Sequence, residues 1–525
     1  MVAASSLMLL SALLHARPSL VYARHHDALE PDVHAARRRG PQIFNAVHNA
    51  MRQWGSSVHH NGMSIFLATV PEGVLFHHGS HSRDSPSEPD WLAYEIEHAE
   101  LFAYSSPNGP PKHTQPPVTD QDQIPLGRLH TDAPSREDNG WLHVYRTARP
   151  LQYLYVDGMG GAKTTMGTLD TQDFLLRGDR TYSTGEQLFS STGGGPMDER
   201  LRAVQLCELC REWRLQGVIR MEGGFEIIQC NFTDGLQHFQ TLQRPSSRKI
   251  NRFEYVRGVA ERYFGVGSSR TIIDYSSMVS AFFFPVNLTN PNIQRQDLPR
   301  LSNTTESELA SIKEYTKQIF MQRRNEPLRT ISWRDISDLI VSRYADRLQY
   351  MVEKAPSIDV MTSEVNFLLD VYIDYSSGSE PGRTAAAIER CTDFFLGAIS
   401  PNTDIDHLIQ VAFKSVTSKI CTTLFTVRDL LAATDSGGSS TLNEVMKELQ
   451  SLMVFLNWAR FKHCRGCTVD EVCLIPMWPF GSEEDYFHPR CTNASGLSRG
   501  NSYSDDRRRP LLDMDGHALE VTSAP

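Results

Sequence analysis

Three stretches carry residue types whose spacing could do chemistry. Phe76-His77-His78-Gly79-Ser80 ends an apolar strand in an imidazole pair and a tight turn, and Trp91-Leu92-Ala93-Tyr94 follows it. Asp157-Gly158-Met159-Gly160-Gly161-Ala162-Lys163-Thr164-Thr165 comes after a strand-like 151–156, where a glycine loop could wrap backbone amides around phosphate and a Lys could reach it. That cradle needs glycine six residues and one residue before the Lys. Asp157 and Ala162 stand there instead, which argues against nucleotide hydrolysis. The third stretch holds two carboxylates, Glu222 and Glu226, the second inside the apolar run Gly224-Phe225-Glu226-Ile227-Ile228.

Other chemistries are weaker. Cys207-x-x-Cys210 and Cys464-x-x-Cys467 have zinc-ligand spacing, and His77, His78, His81 and His98 could gather around a metal. Nineteen histidines are scattered through the chain, and most imidazoles are satisfied surface or core groups. Gly496-x-Ser498-x-Gly500 has the outline of a serine nucleophile turn, but no strand precedes it and a polar tail follows. The carboxylate pairs Glu95/Glu97 and Asp170/Asp173 read as exposed helix and loop residues.

Phe76-His77-His78-Gly79-Ser80, then Trp91-Leu92-Ala93, then Ala99 and Ala103-Tyr104, resemble the opening of the ADP-ribosyltransferase fold over residues 73–230. The resemblance implies that His78, with His77 as substitute, would hold the adenosine ribose of NAD beside Gly79. Trp91 and Tyr94 would stand near the nicotinamide. Glu226, with Glu222 as substitute, would offset the positive charge that builds on the sugar as the glycosidic bond breaks. The Ser-Thr-Ser or Tyr usual in the family's second motif is missing, and so is its Glu-x-Glu. The chain as a whole is similar to an uncharacterised family of secreted proteins from filamentous fungi, which implies no activity.

These residues need elements to hold them. With 525 residues, 40% apolar and 22% charged, the chain can build more than one core. A net charge of −10 does not suit a nucleic-acid surface, so no nucleic-acid partner is expected. The run 7–14 and the Val21-Tyr22-Ala23 site outline a signal peptide over 1–23. The stretch 24–40 ends in Arg37-Arg38-Arg39-Gly40 and reads as a basic linker or propeptide. No later run is long and apolar enough to span a membrane. Sequons at Asn231, Asn287, Asn303 and Asn493 fit the secretory route. In an oxidising compartment Cys464, Cys467, Cys473 and Cys491 are expected to be disulfide staples. Cys207, Cys210, Cys230, Cys391 and Cys421 are further candidates, and an odd count of nine leaves at least one thiol over.

Pattern then predicts an α+β chain: a mixed α/β domain over 41–290, ADP-ribosyltransferase-like, followed by an all-α helical domain over 291–463. Most strands should pair antiparallel, and 90–104 reads as one helix with Leu92, Ile96, Ala99 and Ala103 inward. Thr305 with Glu308 and Ser332 with Asp335 have capping-box spacing. A cysteine-stapled segment over 464–500 and a disordered tail over 501–525 complete the chain. The functional expectation is a secreted ADP-ribosyltransferase-like protein binding NAD or a related nucleotide. Its alternatives are a non-catalytic secreted binding or structural protein on the same scaffold and a disulfide-stabilised secreted hydrolase.

Overall fold

A computed structural model describes residues 29–103, 140–180, 199–245, 251–326, 333–354, 357–376, 380–397, 399–433, 438–497 and Tyr503. The expected signal peptide, the long loop over 105–139, Ser332, Ser498 and all of the expected tail except Tyr503 lie outside the described residues.

Asp32 opens α1 (Val33–Arg38), its carboxylate accepting from the His34 and Ala35 amides that a first helical turn leaves orphaned. α2 (Gly40–Asn49) follows with Pro41 in its first turn, then α3 (Gln53–Val58). The expected linker over 24–40 is therefore helical from Val33 on. The Arg39 guanidinium donates to the carbonyls of Ala281, Phe284 and Val286, so a propeptide cut after Arg39 would remove a built part of the fold.

β1 (Ser64–Val70), β2 (Leu75–Ser80) and β3 (Asp90–Ala93) precede a short α4 (Ile96–Glu100). β4 (Gly140–Thr147) and β5 (Leu151–Val156) follow, then a π-helical turn over Thr171–Arg177, α5 (Glu199–Trp213), β6 (Gly217–Met221), β7 (Phe225–Gln229), β8 (Leu236–Arg244), α6 (Arg252–Ala260) and β9 (Ile272–Ser280). They form one nine-stranded sheet in the order β8-β4-β2-β3-β7-β6-β5-β1-β9. Every neighbouring pair is antiparallel except β5–β6.

Two strands depart from the sequence reading. The single helix expected over 90–104 splits into β3 and the five-residue α4, and Ile96, expected inside, is exposed. β3 is wedged between β2 and β7, and the backbone partners on both sides outweigh helical spacing. β8 is an edge strand with polar residues on both faces, so no alternation announces it.

Beyond the sheet come α7 (Glu306–Arg323), α8 (Trp333–Glu353), α9 (Ile358–Leu369), α10 (Glu380–Asp393), α11 (Asp404–Ala432) and α12 (Gly438–Leu456). The Thr305–Glu308 capping box forms as its spacing predicts. Among the described residues no helix is long and apolar enough to cross a membrane. The boundary expected near 290 does not divide the apolar core, which is one cluster reaching from Ile65 and Leu154 to Phe413 and Leu449. Phe44 of α2 joins the halves, with ring centroids 4.7 Å from Phe413 and 5.8 Å from Trp458.

β10 (Val472–Leu474), α13 (Glu483–Phe487) and β11 (Arg490–Thr492) form the stapled end, which packs against Trp54, Val256 and Tyr263. The disulfides are Cys207–Cys230, Cys391–Cys421, Cys464–Cys473 and Cys467–Cys491. Neither Cys-x-x-Cys is bonded internally, and the zinc reading falls because Cys207, Cys464 and Cys467 are consumed in disulfides with other partners. Cys210 stays free and buried, and burial pushes its thiol up to about 12.

Candidate functional site

The β6–β7 hairpin turns through Glu222-Gly223-Gly224, centred on Gly223, so Arg220 and Glu226 lie directly opposite each other, with Val218 opposite Ile228 on the same face. Both charged side chains are therefore inside, at 2% and 4% exposure, where an unpaired charge would be costly. The pair is satisfied. Arg220 Nε donates to Glu226 Oε1 at 2.7 Å, Nη1 to Gln172 Oε1 at 2.9 Å and Nη2 to Glu199 Oε2 at 2.5 Å.

α5 contributes Glu199 and Arg202. Arg202 pairs with Glu199 and donates from Nη2 to Asp173 at 2.9 Å. Lys163, from the glycine loop that fails as a phosphate cradle, pairs with Glu222 and stands 3.6 Å from Glu199. The Trp478 ring covers the ammonium at 5.0 Å. His98 of α4 closes the other end, with Nε2 at 3.4 Å from Glu226 and Nδ1 at 3.0 Å from the Tyr255 hydroxyl. The turn has to be glycine: a Cβ at Gly223 would come 2.4 Å from the Tyr255 hydroxyl, and one at Gly224 2.9 Å from a Glu95 oxygen.

Burial works against the charge on Glu226, yet Arg220, the His98 hydrogen bond and Lys163 outweigh it and hold the carboxyl well below its usual range. Burial likewise opposes Glu199, which Arg220, Lys163 and Arg202 keep ionised. Burial lowers Lys163 to about 8, against the pull of Glu199. Glu95 goes the other way. Burial raises it to about 7, its two oxygens have no hydrogen-bond partner, and Arg262 Nε stands off at 3.7 Å.

His98, Glu222 and Glu226 bring one ligand atom each within 4.8 Å of one another, the geometry of a cation site. Lys163 and Arg220 already pair with its two carboxylates, so a cation would have to displace both. The other histidines proposed around a metal stand elsewhere. His77 lies in one cross-strand row with Ala93 and Glu226, whereas His78 pairs with His143 on β4.

The residues expected to bind NAD are divided. His78 Nδ1 bonds the Trp91 carbonyl at 2.8 Å, and its ring is 5.3 Å from Trp91 and 5.7 Å from Phe232. Trp91 stands between His78 and His98. Tyr94 packs on Phe76 and Phe225, the sequence neighbours of His77 and Glu226, and is thus on the opposite face of the sheet from His77 and Glu226. Its hydroxyl bonds Thr271 at 2.6 Å. Gly79 serves packing, since a Cβ there would come 2.0 Å from the Ala99 carbonyl of α4. Burial lowers both His77 and His78 to about 4, so both are neutral imidazoles.

Glu222 and Glu226 do share a site, but with Lys163, Glu199, Arg202, Arg220 and His98 rather than with His78 and Tyr94. Arg220 and Glu226 stand at equal distances on either side of Gly223 inside apolar strands, a signal readable from the sequence. Glu199 and Arg202 gave none. All four sequon asparagines are exposed. At Asn231 and Asn493 the side-chain oxygen accepts from the backbone amide of the sequon's own Thr or Ser.

A family profile described as the YPL277C N-terminal domain matches residues 35–123 and 111–252, a span that holds every charged residue of this cluster. The chain is 25% identical over 564 residues to "Uncharacterized protein YOR389W" of Saccharomyces cerevisiae, covering 91% of this chain and 87% of the yeast protein. It is 31% identical over 200 residues to "Uncharacterized protein YPL277C" of the same yeast, covering 36% of this chain and 40% of that one. No solved structure matches the chain.

Proposed function

We propose that the chain is a secreted, disulfide-braced protein that binds a ligand without turning it over, a non-catalytic use of the scaffold. The observation that carries this reading is the state of its two candidate catalytic glutamates. The oxygens of Glu226 are engaged by Arg220 and His98, and Glu222 is paired with Lys163, all inside the protein. Stabilising a sugar cation needs a carboxylate that faces the sugar and gains from its charge. Here that charge is already balanced by two fixed cations. His78 and Tyr94, the residues that would present NAD, belong to other surroundings.

The test is NAD consumption by the purified protein and by Glu226→Gln. Both are expected to match a protein-free blank. Consumption by the wild type that is lost in Glu226→Gln would restore the transferase reading.

The secretory part rests on four disulfides, which suit an oxidising compartment, on the four exposed sequon asparagines and on the leader-like start of the sequence. Protein collected from the medium of a eukaryotic host is expected to lose mass on treatment with peptide N-glycosidase. Its N-terminus should lie upstream of Asp32, because the α1 cap and the Arg39 contacts belong to the folded protein. Retention of the chain in the cytosol with an unchanged mass would remove this part of the proposal.

A further inference from the structure

Two histidines from neighbouring strands meet at the edge of the sheet. His143 of β4 is fully buried, and His238 of the edge strand β8 is exposed. The two strands pair through an irregular register. His238 lies opposite Tyr145 and Gln240 opposite Val144, which leaves Phe239 as an extra residue on β8. Residues three apart on a regular strand point to opposite faces. The extra residue cancels that, and His238 joins Thr241 on the face that carries His143 and Tyr145. The Tyr145 ring then stacks on His238 at 5.1 Å, and its hydroxyl donates to Ser85 at 2.9 Å.

Hydrogen bonding decides which nitrogen of His143 faces β8 as a lone pair. A carbonyl only accepts, so the 2.9 Å contact between His143 Nε2 and the Ser82 carbonyl places the N–H of the neutral ring there. Nδ1 is left as an acceptor. It lies 3.4 Å from His238 Nε2 and 3.4 Å from Thr241 Oγ1, and those two atoms are 2.8 Å apart. Both contacts of Nδ1 are long for a hydrogen bond, so protein groups serve this acceptor poorly. A metal ion would serve it better. Ligand atoms at about 2.0–2.1 Å around a tetrahedral zinc ion stand about 3.3–3.4 Å from one another. The three atoms outline one face of such a tetrahedron, with a single edge drawn in by the hydrogen bond between His238 and Thr241. The carbonyl behind His143 is the outer partner that orients a metal-bound imidazole. Among the described residues no lysine or arginine bonds these atoms, in contrast to the carboxylates beside His98.

We propose that His143 Nδ1 and His238 Nε2, with the Thr241 hydroxyl at a third corner, form a zinc site whose fourth position faces solvent. An ion held there clamps the edge strand β8 to β4. None of these residues belongs to the Glu226 cluster, so the inference goes beyond the non-catalytic reading and can fail without it.

The full-length, oxidised protein, first stripped with a chelator, would be titrated with zinc chloride against a chromophoric zinc indicator. His238→Ala is expected to bind one equivalent fewer than the wild type, or to bind that equivalent at least about tenfold more weakly. His34→Ala, which removes an exposed imidazole of α1, should bind as the wild type does. Calcium in large excess should leave the zinc in place, because a hard cation gains little from imidazole. Should His238→Ala lose the fold, His238→Gln keeps a polar side chain at the strand edge and should show the same loss. Equal zinc binding by the wild type and the folded His238 variant, an equal loss in His34→Ala, or release of the zinc by calcium would each overturn the proposal.

Discussion

Replacing Arg220 with Met is expected to destabilise the protein by about 3–5 kcal/mol, the range measured when one partner of a buried ion pair is removed and the other is left inside. Arg220 holds Glu226 and Glu199 together from a strand that is buried along its whole length. Met fills much the same volume without the charge, so the loss reads the electrostatics rather than a cavity. Chemical denaturation of the secreted, oxidised protein would measure it. Adding Glu226→Gln to Arg220→Met should recover part of the loss, because the carboxylate is then no longer buried alone. A loss below about 1 kcal/mol would mean that water reaches the cluster, and the closed-site argument against catalysis would lose its footing.

The second large effect is the part of the pH dependence of stability that the raised carboxyls carry, a contribution that declines as pH rises. Glu95 has a carboxyl pushed up by burial to about 7, against an ordinary value of 4.5, and Asp90 and Asp157 are raised by burial to about 7 as well. A group whose pKa is higher in the folded state stabilises fully below its unfolded value, and the contribution is lost as pH climbs through the folded one. For Glu95 the window runs from about pH 4.5 to 7. Glu95→Gln keeps the shape and cannot ionise. It should remove a decline on the order of 3 kcal/mol across that window, leaving the slopes of the other shifted groups: Asp90 and Asp157, whose contribution also falls with pH, and His60, His77 and His78, whose lowered pKa values make stability rise with pH. Urea midpoints at pH 5 and pH 7.5 for both proteins would show it. Identical slopes would mean that Glu95 is ionised throughout. Glu226 has the opposite sign: its pKa is depressed, and the stability it supplies is lost only as pH falls well below its ordinary value.

Both predictions turn on residues that the sequence marked unequally. Glu226 drew notice through a resemblance to a transferase fold, and its position in an apolar strand was real. Its role was not legible, because the same register that places it inside also places Arg220 opposite. Lys163 drew notice as part of a failed phosphate loop and finds its place beside Glu222 instead. Glu95 read as an exposed helix carboxylate. It is buried because α4 is a single short turn that tucks it between His98 and the Gly-Gly hairpin, an arrangement no local pattern announces.

What the sequence by itself determined is local. The alternation of β6 and β7, the glycine turn between them, the Thr305–Glu308 cap and the long apolar stripes of α11 and α12 depend on neighbours a few residues apart, and the structure forms all of them. What tertiary structure alone decided is pairing between distant segments. β3 became a strand because β2 and β7 flank it, and the apolar core ran across the expected boundary because Phe44 meets Phe413 and Trp458. Spacing could list the cysteines but not match Cys207 with Cys230 or Cys467 with Cys491. The charged cluster belongs to the same class. Its members come from β6, β7, α4, α5 and two loops, and each charge is tolerated inside only because the others arrive there with it.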